Sequence, residues 1–183
     1  MKENDLRVIK TREAIEEAFK KLLVEKDFER IKVSELCELA RIDRKTFYAH
    51  YDGLDGLLDN LQTALSQNYL KRIENMDMFE NVREMMREFF LYSEEQGEFY
   101  EKITCADSYL RNRMIANVMK NTKTKSKSFN ALPPEKQRYV LSFYHSTTLT
   151  IYKSWIEGGK TSSAEEVADF AANLLQNGLK GII

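Results

Sequence analysis

The chain has 183 residues, 43% of them hydrophobic, with 28 Lys and Arg set against 29 Asp and Glu. That length suits one ordinary domain, or a small one joined to a larger one, with a substantial core; the near-neutral charge excludes a protein that coats nucleic acid non-specifically. Two prolines and seven glycines favour helices throughout over a turn-rich strand fold, and with no charged-then-apolar leader and no long apolar run, a cytoplasmic protein that does not span a membrane is expected.

Residues 1–7 form a polar arm containing Lys2 and Arg7, expected to be solvated. Over residues 8–26, Ile15, Ala18, Phe19, Leu22 and Leu23 recur at helical spacing on one stripe, with Arg12, Glu16 and Lys20 opposite. Asp27 follows, a residue that tolerates the left-handed conformation ending many helices, and Phe28 is expected to fold back into a small core. Val33, Leu36, Leu39 and Ala40 then mark one face of a short helix beginning near Ser34. Arg41-Ile42-Asp43 breaks that run, and Asp43 can cap a second short helix by accepting from the backbone N–H of Lys45 or Thr46. Phe47 and Tyr51 share a face of this second helix with Ile42 behind them, leaving Arg44, Lys45, Thr46, Tyr48 and His50 for other faces. This is the geometry of a helix-turn-helix, whose second helix lays its N-terminal residues against base edges in a major groove.

The stretch from Val33 to Tyr51 resembles the helix-turn-helix of the TetR family of transcriptional regulators. Val33, Glu35, Leu36, Ala40, Ile42, Thr46, Phe47, Tyr48, His50 and Tyr51 fall in register with the family pattern, and T-F-Y-x-H-Y is its most specific part. The resemblance covers the first third of the chain. It implies an all-α fold of about nine helices, with a three-helix helix-turn-helix DNA-binding domain over residues 1–53 and a helical dimerisation and effector-binding domain over 54–183. It also implies DNA contacts from Lys32, Ser34, Arg44, Lys45, Thr46, Tyr48, His50 and Tyr51: Arg44, Lys45 and Thr46 at base edges, Tyr48 and His50 at phosphates. Three residues depart from the pattern. Arg41 stands where the family usually has Gly, at a cost of about 1 kcal/mol if the position is left-handed. Lys32 replaces a capping Thr, and Leu54 replaces a Lys that often touches phosphate.

Beyond the Asp52-Gly53 turn, Leu57, Leu58, Leu61, Leu65, Tyr69 and Ile73 give the buried stripe of a long helix over residues 54–75. Val82, Met85, Met86, Phe89, Phe90 and Tyr92 form a broad apolar band, and Phe99, Tyr100 and Ile103 a shorter one after Gly97. A further helix is expected over residues 108–120. The run N-T-K-T-K-S-K-S that follows, with Lys123, Lys125 and Lys127, is expected to be a mobile solvated segment. Pro133-Pro134 opens a helix continuing to Glu157 and ending at Gly158-Gly159, with Leu141, Tyr144, Thr148, Ile151 and Trp155 as its seam. Ser162 and Glu165 have capping-box spacing for a last helix over residues 163–179.

The apolar band of that last helix, Val167, Phe170, Ala171, Leu174, Leu175 and Gly178, is too wide for one buried contact. A homodimer built on the two closing helices is therefore expected, with Leu141, Thr148, Ile151, Trp155, Val167, Phe170, Ala171, Leu174 and Gly178 at its interface. The Met and aromatic content of the second part suggests an effector pocket lined by Met85, Phe89, Tyr144, His145 and Thr148, alongside the alternative that these residues are plain core. Cys37 and Cys105 have no metal-ligand spacing and read as reduced structural thiols. With no nucleophile motif, metal spacing or Gly-rich phosphate loop, an enzyme is not expected and no cofactor is called for. The reading is a homodimeric regulator, a repressor released by a small-molecule effector, on an inverted-repeat DNA operator. The alternative is a co-regulator of the same fold that acts through protein partners.

Overall fold

Residues 6–25 are rich in Ala, Leu, Lys, Arg and Glu, all good helix formers, and in the computed structural model they make α1 (Leu6–Glu25). The structure describes residues 6–105, 115 and 124–182. They form two compact units that divide between Leu65 and Ser66.

In the first unit α1 buries Ile15, Ala18, Phe19, Leu22 and Leu23, the stripe its spacing predicts. Asp27 is extended (φ −70°, ψ 146°) rather than left-handed, because the chain passes straight into a 3-10 turn over Phe28–Arg30. The Phe28 ring packs edge-on against Phe19, with centroids 6.3 Å apart. Next come α2 (Val33–Leu39) and α3 (Arg44–His50), and α4 (Leu54–Arg72) begins in this unit by burying Leu57, Leu58 and Leu61. One face assignment in α2 changes: Leu39 is 47% exposed, and Cys37 joins Leu36 on the buried side.

The turn between α2 and α3 follows from one backbone conformation. Arg41 is left-handed (φ 55°), the Arg41 N–H donates to Glu38 O at 3.1 Å, and the Ile42 N–H donates to Cys37 O at 3.0 Å. These two bonds make a Schellman motif, in which the left-handed position is normally glycine because a Cβ there is strained. Arg41→Gly is expected to stabilise the first unit by about 1 kcal/mol, read as a higher urea midpoint; an unchanged or lower midpoint would contradict the strain.

In the second unit α5 (Val82–Cys105) carries the core. It is kinked at Gly97 (φ 67°, ψ −160°) and buries Met85, Met86, Phe89, Phe90 and Tyr92 before the kink, Phe99, Tyr100 and Ile103 after it. The expected helix over residues 108–120 lies outside the described residues, Ile115 excepted, as does Lys123. Thr124–Ser126 is not the solvated segment expected: Thr124 Oγ1 and the Lys125 N–H both donate to the buried carboxylate of Asp77, which also accepts from the Phe79 N–H. Ser126 then caps a one-turn helix, α6 (Lys127–Asn130), through the Phe129 N–H.

Two helices close the chain, α7 (Pro134–Glu157) and α8 (Ala164–Leu179). Pro134 occupies the first turn of α7, where a missing N–H does no harm. At the start of α8 the capping box is Ser163 with Glu166, one residue on from the expected pair. α8 lies along α5, tied by Arg83 to Asp169 at 2.7 Å and Arg87 to Glu165 at 2.5 Å. Between α5 and α7, Phe90 meets Tyr152 and Trp155 at centroid distances of 5.9 and 5.7 Å. Among the described residues no helix is long and apolar enough to cross a membrane.

Candidate functional site

Asp43 caps α3, the second helix of the helix-turn-helix. It enters α3 in an extended conformation and its Oδ1 accepts from the Thr46 N–H at 2.8 Å. Its Oδ2 accepts from Thr46 Oγ1 at 3.0 Å. These bonds hold its carboxyl below the usual carboxylate range, so the cap stays ionised at neutral pH where the helix dipole favours it. They also commit the Thr46 hydroxyl to Asp43. Arg44 and Lys45, on the first turn of α3, are exposed, Tyr48 is 50% exposed and His50 is half-buried. Lys32 and Ser34, at the start of α2, are exposed as well. Burial, and then the charge of Arg12, lower the His50 pKa, which keeps the ring neutral near pH 7.

Tyr51 leaves this set. It is 4% exposed, its hydroxyl donates to Glu16 Oε1 at 2.8 Å, its ring stacks with Phe47 at 6.1 Å, and Arg12 sits 5.9 Å from the ring centroid. Its place is in the core of the first unit, joining α3 to α1. Phe47, fully buried and packed against Tyr48 and Tyr51, anchors α3 in the core of the first unit.

The second unit contains a partly open, mainly apolar cavity of about 70 Å³. The five residues expected to line a pocket, Met85, Phe89, Tyr144, His145 and Thr148, all stand in its wall. Sequence reasoning missed Met86, Tyr100 and Thr104, which also line it; the first two fell on stripes read simply as core. Burial raises the Tyr144 hydroxyl pKa and lowers that of His145 to about 4, so both are neutral at physiological pH. Among the described residues no group of three or more His, Cys, Asp or Glu is placed to hold a metal.

Residues 80–177, more than half of the chain, match the family profile of the TetR transcriptional regulator C-terminal region. The chain belongs to the TetR family of transcriptional regulators. Over 84 residues it is 34% identical to an uncharacterized HTH-type transcriptional regulator, YxbF, of Bacillus subtilis (strain 168). That match takes in 45% of this chain but only 21% of the relative, so the chain spans about a fifth of that protein's length. Among solved structures, a TetR transcriptional regulator from Streptococcus agalactiae 2603V superposes with a TM-score of 0.72 at 21% identity, over 92% of this chain and 95% of that one. The fatty acid degradation regulator FadR from Bacillus halodurans superposes with a TM-score of 0.67 at 13% identity, over 93% and 96%. Both show the shared all-α fold.

The closing helices of this TetR-family chain sort the expected interface residues into two groups. Thr148, Trp155 and Ala171 are buried inside the second unit and leave the interface set: Thr148 Oγ1 donates to Tyr144 O, Trp155 Nε1 donates to Ser162 O, and Ala171 is fully covered. Phe170 at 60% and Leu174 at 44% are exposed, Gly178 is exposed, and Leu141, Ile151 and Val167 are half-buried. Phe143, 40% exposed, and Tyr139, 62% exposed, extend the same kind of surface along α7 and were missed, although their four-residue spacing away from the Tyr144 seam was a usable signal. The Phe143 ring lies over Gly178, where a Cβ would come within 2.7 Å of Phe143 Cζ, so only glycine lets the ring rest there.

Proposed function

We propose that this TetR-family regulator is a homodimeric, sequence-specific DNA-binding repressor of the cytoplasm, released from an inverted-repeat operator when a small molecule enters the second-unit cavity. DNA reading belongs to residues 1–53, dimerisation and effector binding to 54–183. The observation that carries the reading is α3: a capped, short helix anchored by Phe47 that presents Arg44 and Lys45 from its first turn, with Tyr48 and His50 beside them. Arg or Lys there can pair with guanine acceptors, the Thr46 methyl can meet a thymine methyl, and Tyr48, His50, Lys32 and Ser34 hold phosphates. Two such helices, one per subunit, would enter successive major grooves about one helical turn apart. A dimer so placed excludes other proteins from the duplex with no further machinery, which favours repression.

Arg44→Ala is expected to weaken cognate-duplex binding by about 1–3 kcal/mol and to relax base preference at one position per half-site. Selection of genomic fragments followed by titration at fixed salt measures it, and wild-type affinity in the variant would refute the assignment.

Support for the dimer comes from the exposed apolar surface on α7 and α8, where Phe143, Phe170 and Leu174 stand in solvent with small Gly178 among them. Leu174→Glu is expected to convert a dimer into monomers at micromolar concentration in sedimentation runs. A wild-type protein sedimenting as a monomer would remove the dimer from the proposal. Effector control requires only that the ligand bind one conformation better than the other.

A further inference from the structure

We propose that the second-unit cavity selects a small, electrically neutral, mainly apolar molecule bearing a single oxygen, held by Tyr144 and His145. The inference rests on reading that cavity as the effector site, and it names the chemical class of the effector.

Three observations carry it. No Asp, Glu, Lys or Arg is present among the described lining residues, so a charged ligand would lose its water shell with no opposite charge to meet it. Next, three polar atoms of the wall are buried with no hydrogen-bond partner among the described residues: Thr104 Oγ1 on α5, and on α7 the pair Tyr144 Oη and His145 Nε2. Buried polar groups are normally paired, and these two belong to consecutive residues with ring centroids 5.7 Å apart. Tyr144 is 3% exposed, so its hydroxyl is out of reach of bulk water. Finally, the cavity of about 70 Å³ is roughly half the size of one that holds benzene, and the flexible side chains of Met78, Met85 and Met86 form part of its wall.

The donor and acceptor chemistry narrows the class. A protonated Tyr144 hydroxyl donates to a carbonyl, ether or hydroxyl oxygen, and the neutral His145 ring can donate or accept through Nε2 according to its tautomer. A small ketone takes a hydrogen bond from Tyr144; a small alcohol accepts from Tyr144 and donates to His145. A carboxylate would gain the same donors but would bring a charge that no cation among the described lining residues offsets.

Calorimetric titration of the full chain at neutral pH with five probes that share one five-membered ring decides the matter: cyclopentanone, cyclopentanol, cyclopentane, cyclopentanecarboxylate and cyclopentylammonium. The two neutral oxygenated probes are expected to bind saturably, and the two charged ones about a hundredfold more weakly or not at all. In Tyr144→Phe, whose ring keeps its packing against Phe79, cyclopentanone is expected to bind about tenfold more weakly while cyclopentane is unaffected. Should that variant melt early, His145→Phe tested with cyclopentanol gives the same comparison. Equal or tighter binding of a charged probe, no saturable binding of either oxygenated probe, or an unchanged ketone-to-hydrocarbon ratio in the variants would each overturn the proposal. Duplex affinity is measured in the same samples. Saturable binding that leaves duplex affinity unchanged supports the ligand class and overturns the effector reading alone.

Discussion

Phe47→Ala is expected to remove about 3–5 kcal/mol from the first unit and with it all duplex binding. The ring is fully buried, edge-on to Tyr48 at 5.2 Å and tilted against Tyr51 at 6.1 Å, so its deletion opens a hole at the only helix that presents Arg44 and Lys45. A unit of about sixty-five residues has a total stability of roughly 3–10 kcal/mol, so a loss of this size melts it or nearly does. Circular dichroism should show the missing helix, and a duplex titration no binding. Trp155, the chain's one tryptophan, lies in the second unit and supplies the internal control. A variant unfolding at the wild-type urea midpoint would show that Phe47 is not the anchor described.

Acidification from pH 6.5 to pH 4 is expected to cost the second unit roughly 3 kcal/mol through His145 alone. Burial lowers the His145 pKa to about 4 in the folded chain, whereas in the unfolded chain it returns to 6.5. The unfolded state therefore binds the proton first. Stability is full above the unfolded value, falls as pH drops through it, and stops falling once the folded ring protonates near 4. Urea midpoints followed by Trp155 fluorescence should trace that slope, and His145→Gln should flatten it; a slope equal to wild type would rule His145 out. His50, lowered by burial and by Arg12, adds a change of the same sign but in the first unit. Asp77 acts in a lower window. Its burial pushes the carboxyl up, but the N–H groups of Phe79 and Lys125 and the Thr124 hydroxyl more than offset this and leave it below its ordinary 3.8. What Asp77 contributes is thus kept down to that pH and lost only beneath it.

The features legible in the sequence were those set by neighbours within a turn or two. The α1 stripe, the Asp43 cap and the inner position of Phe47 are all consequences of helical spacing. Arg41 could be recognised as left-handed only because glycine is usual there in the family. Periodicity says which residues share a face, but not what covers it. Periodicity puts Tyr51 on the face of Phe47, and only the resemblance places it at DNA; neither shows that Glu16, thirty-five residues earlier, holds its hydroxyl. The same limit hid the link from Asp77 to Thr124 and Lys125, across forty-seven and forty-eight residues. Two serines and two glutamates in succession satisfied capping-box spacing equally well at the head of α8. The chain settles on Ser163 and Glu166, with the Ser162 carbonyl taken by Trp155 Nε1. On α8 hydrophobicity alone would have buried Phe170 and Leu174. Instead Ala164, Ala168, Ala171 and Ala172 face inward, since small side chains let the helix approach α5 closely, and the larger residues are left outside.

The glycine at 97 bears on how the cavity could respond to an occupant. Its backbone (φ 67°, ψ −160°) lies in a region that is essentially open to glycine alone. Met85, Met86 and Phe89 stand on the segment before it, Tyr100 and Thr104 on the segment after it. Two parts of the cavity wall are thus carried by two rods with a single elbow between them, so a rotation about the two backbone bonds of Gly97 would move one part of the wall relative to the other.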